Sequence, residues 1–150
     1  MRPAHCVLAL ALAVLPLAAC ASTDGPAPGG SSGPRPSAGP VELQRSGGIA
    51  GVRDVVTVGP DGGWRRTAKA GTPTSGTLSA DERDRLARMA ADPGLVAEAT
   101  RTPPGTECAD GFDYRLTAGG TTVGWQDCGS ATEVPAAASR IAAFLLSSTG

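Results

Sequence analysis

The residues of this chain that could do chemistry are one histidine, four cysteines and a group of aspartates. His5 lies in a segment expected to be removed on export. Without it the chain has no imidazole, which excludes a Ser-His-Asp triad, a Cys-His nucleophile and a His-ligated zinc site. Asp110, Asp113 and Asp127 fall close together and are of the type used in carboxylate acid/base pairs and calcium sites. Their spacing is not that of a calcium loop, and Asp113 is expected to point away from the apolar side of its strand. There is no G-x-S-x-G elbow, no P-loop and no G-x-G-x-x-G phosphate cradle. No catalytic residue, resident metal or cofactor is expected. The chemistry left to such a chain is recognition.

The stretch best suited to recognition is VELQRSGGIAGVRDVVTV, Val41 to Val58. Its flanks are rich in β-branched and aliphatic residues and read as two strands. Between them, Arg45, Ser46, Gly47, Gly48, Ile49, Ala50 and Gly51 form a glycine-rich corner around one bulky apolar residue. Glycine permits positive φ and close backbone approach, so the chain can turn sharply there. A structural turn has no need of an isoleucine at its tip. Two readings follow: Ile49 projects toward a partner, or it folds back onto the core. Arg45 likewise is either a solvated strand-end charge or a contact to an acidic rim on a partner.

Several elements must position that corner. Ahead of it, Arg2, the apolar run Val7–Leu17 and the small residues Leu17-Ala18-Ala19-Cys20 have the layout of an export signal. The run is too short to span a membrane, which takes about 20 residues. LAAC resembles the bacterial lipobox, which implies cleavage before Cys20 and lipidation of its thiol and amine. Residues 1–19 are thus read as a lipoprotein signal peptide, which contains Cys6, and the mature chain as anchored on the outer face of the bacterial cell membrane. More than one acyl chain is needed for stable anchoring. Residues 21–40 hold five Gly, five Pro and four Ser without apolar periodicity, and read as a disordered tether. A flexible chain of that length spans about 25 Å.

Residues 41–150 read as one α+β domain in the order β-β-β-α-β-β-α, two-layered with a mainly antiparallel sheet. Gly59-Pro60-Asp61-Gly62-Gly63 is a turn leading to a third strand from Trp64, which is expected to cover the sheet. Residues 69–76 read as a loop. Ser79 and Glu82 form a capping box for a helix ending near Ala91, with Asp81–Arg85 and Asp84–Arg88 pairs on its solvent side. Leu95 and Val96 are expected to extend the packing in a following turn. Phe112, Tyr114 and Leu116 alternate with polar residues, Gly119-Gly120 supplies a two-residue turn, and Val123 and Trp125 alternate on the return. That register puts Leu116 opposite Val123 and Tyr114 opposite Trp125. Cys108 and Cys128 bracket this hairpin. In an exported protein they are expected to form a disulfide, worth about 3 kcal/mol in the loop-entropy model. The alternative, a metal-binding thiol pair, lacks further soft ligands. A closing helix from about Pro135 to Leu146 carries Ala137, Ile141, Phe144 and Leu145 toward the sheet.

VELQRSGGIAGV, the later DGFDYRLT segment and the apolar helix after Pro135 together resemble the emfourins. These are proteinaceous inhibitors of protealysin and other thermolysin-like zinc metallopeptidases. The resemblance covers nearly the whole domain from Val41 and is most specific at Arg45–Gly51. Asp110, Tyr114 and Leu116 match the second motif. The lipobox, the tether and the Cys108/Cys128 pair depart from the family pattern. The resemblance implies a binding protein and not an enzyme, with a secreted metallopeptidase as its partner and the Ile49 corner as the contact. The alternative is a cell-envelope lipoprotein with another binding or structural role. With a formal charge of −1 and 3% aromatic residues, nucleic acid is not an expected partner, and a monomer is expected.

Overall fold

The computed structural model describes residues 38–101, 108–129 and 133–150. The expected signal peptide, Cys20 and most of the tether lie outside the described residues. The domain is α+β. Its strands are β1 (Val41–Gly47), β2 (Val52–Val58), β3 (Gly63–Ala68), β4 (Thr74–Thr77), β5 (Phe112–Ala118) and β6 (Thr121–Asp127). Its helices are α1 (Ala80–Ala90), α2 (Pro93–Ala99) and α3 (Ala136–Ser148). The strands form one sheet in the order β4-β3-β2-β1-β5-β6, with antiparallel neighbours throughout.

Two rungs of this sheet make the core. Leu43 pairs with Val56 on one side and Leu116 on the other, and Leu116 pairs with Val123. One rung away, Val41 pairs with Val58 and Ala118. All seven are buried, so they share one face. Leu86, Leu95, Ala138, Ile141 and Leu145 from the helices complete the same apolar cluster. The residues between them, such as Glu42, Gln44, Thr57 and Arg115, alternate to the other face, as a period of two requires.

The second hairpin has the expected register, with Leu116 opposite Val123 and Tyr114 opposite Trp125. The last two rings stack at 4.8 Å and 3°. Cys108 and Cys128 are joined in a disulfide, their Cα atoms 5.9 Å apart. Both halves of the Ser79/Glu82 capping box are present. Arg85, expected beside Asp81, instead has its guanidinium over the Phe144 ring at 5.2 Å from the centroid.

Three features differ from expectation. Residues 74–77 form a fourth strand where a loop was expected. Thr-Ser-Gly-Thr has no apolar alternation, but the open edge of β3 offers it hydrogen bonds. Gly76 also lies opposite Trp64, where a Cβ would come within 2.7 Å of the indole. The turn after α1 is a helix in its own right, α2, started by the Asp92 side chain accepting from Gly94 N–H and by Pro93 in the first turn. Val96 therefore faces solvent at 59% exposure, while Leu95 alone enters the core.

Helix α3 has Pro135 at its N-cap, which provides no side-chain hydrogen bond. Its first amides are satisfied from elsewhere. The buried carboxylate of Glu98, on α2, accepts from Ala137 N–H at 2.8 Å and from Ala138 N–H at 2.9 Å. A carboxylate at a helix N-terminus also meets the positive end of the helix dipole. This bond pair ties α2 to α3.

Replacing Glu98 with Gln leaves one acceptor oxygen for two amides and sets an NH2 group against the second. Glu98→Gln is expected to cost about 1–3 kcal/mol in urea unfolding; an unchanged midpoint would show that the cap does not hold α3. Glu82 makes a second, pH-dependent case. The Ser79 backbone N–H, then the Ser79 hydroxyl, hold its carboxyl below the ordinary 4.5. A depressed carboxyl stabilises the fold above its ordinary value and loses that contribution as the pH falls through its folded value. The melting temperatures of the wild type and Glu82→Gln are therefore expected to differ above pH 4.5 and to converge in more acid solution.

Candidate binding surface at one end of the sheet

The β1–β2 connection lies at the opposite end of β1 from Val41. Gly47 and Gly48 have φ of 106° and 69°. A Cβ on Gly47 would collide with the Gly111 carbonyl oxygen, and one on Gly48 would lie 2.8 Å from the Phe112 ring. Both positions therefore need glycine for conformation and for space. Gly48 N–H donates to the Gly111 carbonyl at 2.9 Å, and Gly51 N–H donates to the Gly48 carbonyl at 2.8 Å. Gly48–Gly51 is thus a closed turn hung on the start of β5.

That geometry decides where the isoleucine goes. Ile49 is 90% exposed, and Ala50 beside it is exposed as well. Ile49 and Val96 are the large hydrophobic residues left exposed among the described residues. The reading in which Ile49 folds onto the core does not apply.

Beneath the turn, the inner face of the sheet changes character. The rung after Leu43 carries Asp54, Arg45, Tyr114 and Trp125 in order across β2, β1, β5 and β6. Arg45 donates through Nη2 to Asp54 Oδ2, and Arg66 of β3 approaches the same oxygen at 3.4 Å. The Asp54 side chain is only 6% exposed. The Arg45 guanidinium also lies 5.4 Å from the centre of the Phe112 ring. Burial alone would lower the Arg45 pKa, but hydrogen bonds with Asp54 and Tyr114 and the charge of Asp54 raise it. Arg45 is therefore held by Asp54, fastening β1 to β2 below the turn, with its side chain partly exposed. It is not a freely solvated strand-end charge. Ser46 sits between Arg53 and Asp113 on the paired strands.

Asp54 was not among the candidates read from the sequence, although a signal was present. It occupies the same parity as Val56 and Val58, so it had to point inward with them, and an inward carboxylate requires a cation. The three aspartates singled out in the sequence, Asp110, Asp113 and Asp127, are not gathered into a site. Asp113 lies on the outer face and accepts from Gln126 Nε2 at 3.3 Å; Asp127 accepts from Gly129 N–H at 2.8 Å; Asp110 is an exposed turn residue. Among the described residues, no group of three or more His, Cys, Asp or Glu side chains is placed to hold a metal ion.

A groove of about 430 Å³ runs between the second hairpin and α3. Tyr114 and Trp125 line one side, and Ala142, Ala143 and Leu146 the other. Arg140 in this groove is paired with Asp92 at 2.7 Å. No protein-family profile and no curated protein sequence matches this chain.

Removing the Asp54 carboxylate leaves Arg45 and Arg66 together without a counter-charge. Asp54→Ala is expected to cost about 3 kcal/mol, as for breaking a buried pair whose cations keep some solvent. A loss under about 1 kcal/mol in denaturant unfolding would instead mark this as a surface-type pair.

Proposed function

We propose that this chain is a lipid-tethered extracytoplasmic binding protein that inhibits a thermolysin-like zinc metallopeptidase through the Ile49 turn. The observation that carries the reading is the 90% exposure of Ile49 on a turn fixed at both ends. An isoleucine held in water forgoes about 2 kcal/mol of burial, which a partner's apolar pocket recovers. The turn is already closed, so little conformational entropy is lost on docking. The resemblance of Arg45–Gly51 to the emfourin motif supplies the class of partner, and the lipobox-like Cys20 supplies the location.

The backbone geometry narrows the mechanism. Both backbone polar groups of Gly48 are engaged within the fold, its N–H by Gly111 and its carbonyl by Gly51. The turn thus cannot lie as an extended strand in a cleft without breaking those bonds. Ile49 and Ala50 enter as a knob, and the Ile49 side chain fills the enzyme's pocket for bulky aliphatic residues. A chain held in this way offers no extended peptide for cleavage. Arg45 and Asp54 act behind the turn by holding β1 and β2 together. The proposed tether leads into β1 at Val41, the end of that strand opposite the turn.

In an inhibition assay of the full chain against a thermolysin-like peptidase, Ile49→Asp is expected to weaken inhibition about 100-fold, a hot-spot loss of about 3 kcal/mol. Its melting temperature should be unchanged, because the side chain touches no core. Full-strength inhibition by a folded Ile49→Asp variant would contradict the reading. Recovery of a membrane complex without a metallopeptidase, in a pull-down with the wild-type chain, would favour an envelope-binding role instead.

A further inference from the structure

The Ile49 turn is not held by its own hairpin alone. Its first residue hangs on Gly111, and Gly111 belongs to the turn that begins at Cys108. Gly48 N–H donates to the Gly111 carbonyl at 2.9 Å, while Gly111 N–H donates to the Cys108 carbonyl at 3.4 Å. Gly111 lies so close to the Cys108 sulfur that a Cβ there would overlap Sγ, and it would also meet the Asp127 carbonyl at 3.2 Å. A Cβ on Gly47 would in turn collide with the Gly111 carbonyl oxygen. The disulfide to Cys128, just past the end of β6, closes this stack from the far side.

The apolar core reaches toward this arrangement only through Trp125, on which Tyr114 stacks. Its cluster is built on Val41, Leu43, Val56, Val58, Leu116 and the helices, and neither Cys108 nor Cys128 belongs to it. The rung between core and turn is the Asp54–Arg45–Tyr114 row, which has its own ion pairs and ring contacts. The staple and the turn thus share one end of the sheet, and the aliphatic part of the core lies toward the other.

We propose that the Cys108–Cys128 disulfide is a redox-sensitive positioning device for the Ile49 turn: with the bond intact the Gly111 carbonyl is fixed and the turn is stiff, and with the bond reduced the turn loosens while the core stays folded. The reductant is a dithiol. One of its thiolates attacks one sulfur and releases the other as a thiolate, and the second dithiol sulfur then resolves the mixed disulfide. Two electrons pass to the protein, two protons are taken up to give the Cys108 and Cys128 thiols, and the dithiol leaves as its own disulfide. The consequence for inhibition rests on the Ile49 reading; the mechanical coupling does not.

The test is amide hydrogen exchange on the full chain by NMR, oxidised and after reduction with a small dithiol. Exchange at Gly48 and Gly51 is expected to quicken at least tenfold on reduction, while the amides of Leu43, Leu116 and Leu145 keep their protection. Cys108→Ser/Cys128→Ser is expected to match the reduced protein with no dithiol present. Unchanged exchange at Gly48 overturns the proposal. So does a parallel loss of protection at Leu43 and Leu116, which would make the bond a staple for the whole domain. If the turn amides respond as expected but neither form inhibits a thermolysin-like peptidase, the coupling stands and the inhibitory reading falls.

Discussion

The register of β1 is the constraint on which the rest of the domain depends. β1 lies between β2 and β5, and its residues alternate between the helix-covered face and the open one. One parity places Val41 and Leu43 in the core and Arg45 against Asp54. The same parity ends at Gly47, where the backbone must pass close to the Gly111 carbonyl. A slip by one residue would bury Glu42 and Gln44, expose both apolar residues and take Arg45 away from Asp54. Core, ion pair and turn are consequences of one pairing.

The inner face is divided along its length. Two rungs are apolar and covered by α1, α2 and α3; the next is charged and aromatic; the last carries the turn and the stapled loop. The buried aliphatic residues are concentrated at the end where β1 begins. The exposed isoleucine lies at the other end, where it interferes with no packing. The Glu98 cap belongs with the buried residues, since it fixes α3 over the core through two backbone amides. The ion pair at Arg45 and Asp54 lies on the boundary and keeps the turn's two strands aligned beneath it.

Much of this was legible in the sequence because it is local. The alternation of Phe112, Tyr114 and Leu116 with the Gly119-Gly120 turn specifies the second hairpin down to its register. Ser79 and Glu82 specify the start of α1. What was not legible depends on distant partners. β4 has no strand pattern of its own and exists because β3 has an open edge. Glu98 looks like any solvent-facing helix glutamate until α3 is brought to it by the fold. The outward course of Ile49 depends on the Gly111 carbonyl, which is supplied by a segment far along the chain. Asp54 lies between these cases, since its parity was readable but its two arginines come from different strands.

The central claim is that the Ile49 turn occupies the substrate cleft of a zinc metallopeptidase. The most direct measurement is competition between the full chain and a small active-site-directed zinc ligand for a thermolysin-like enzyme. Mutually exclusive binding is expected, with the apparent affinity of the chain falling in proportion to occupancy of the cleft by the ligand. Simultaneous binding of both, or no binding of the chain at all, would contradict it.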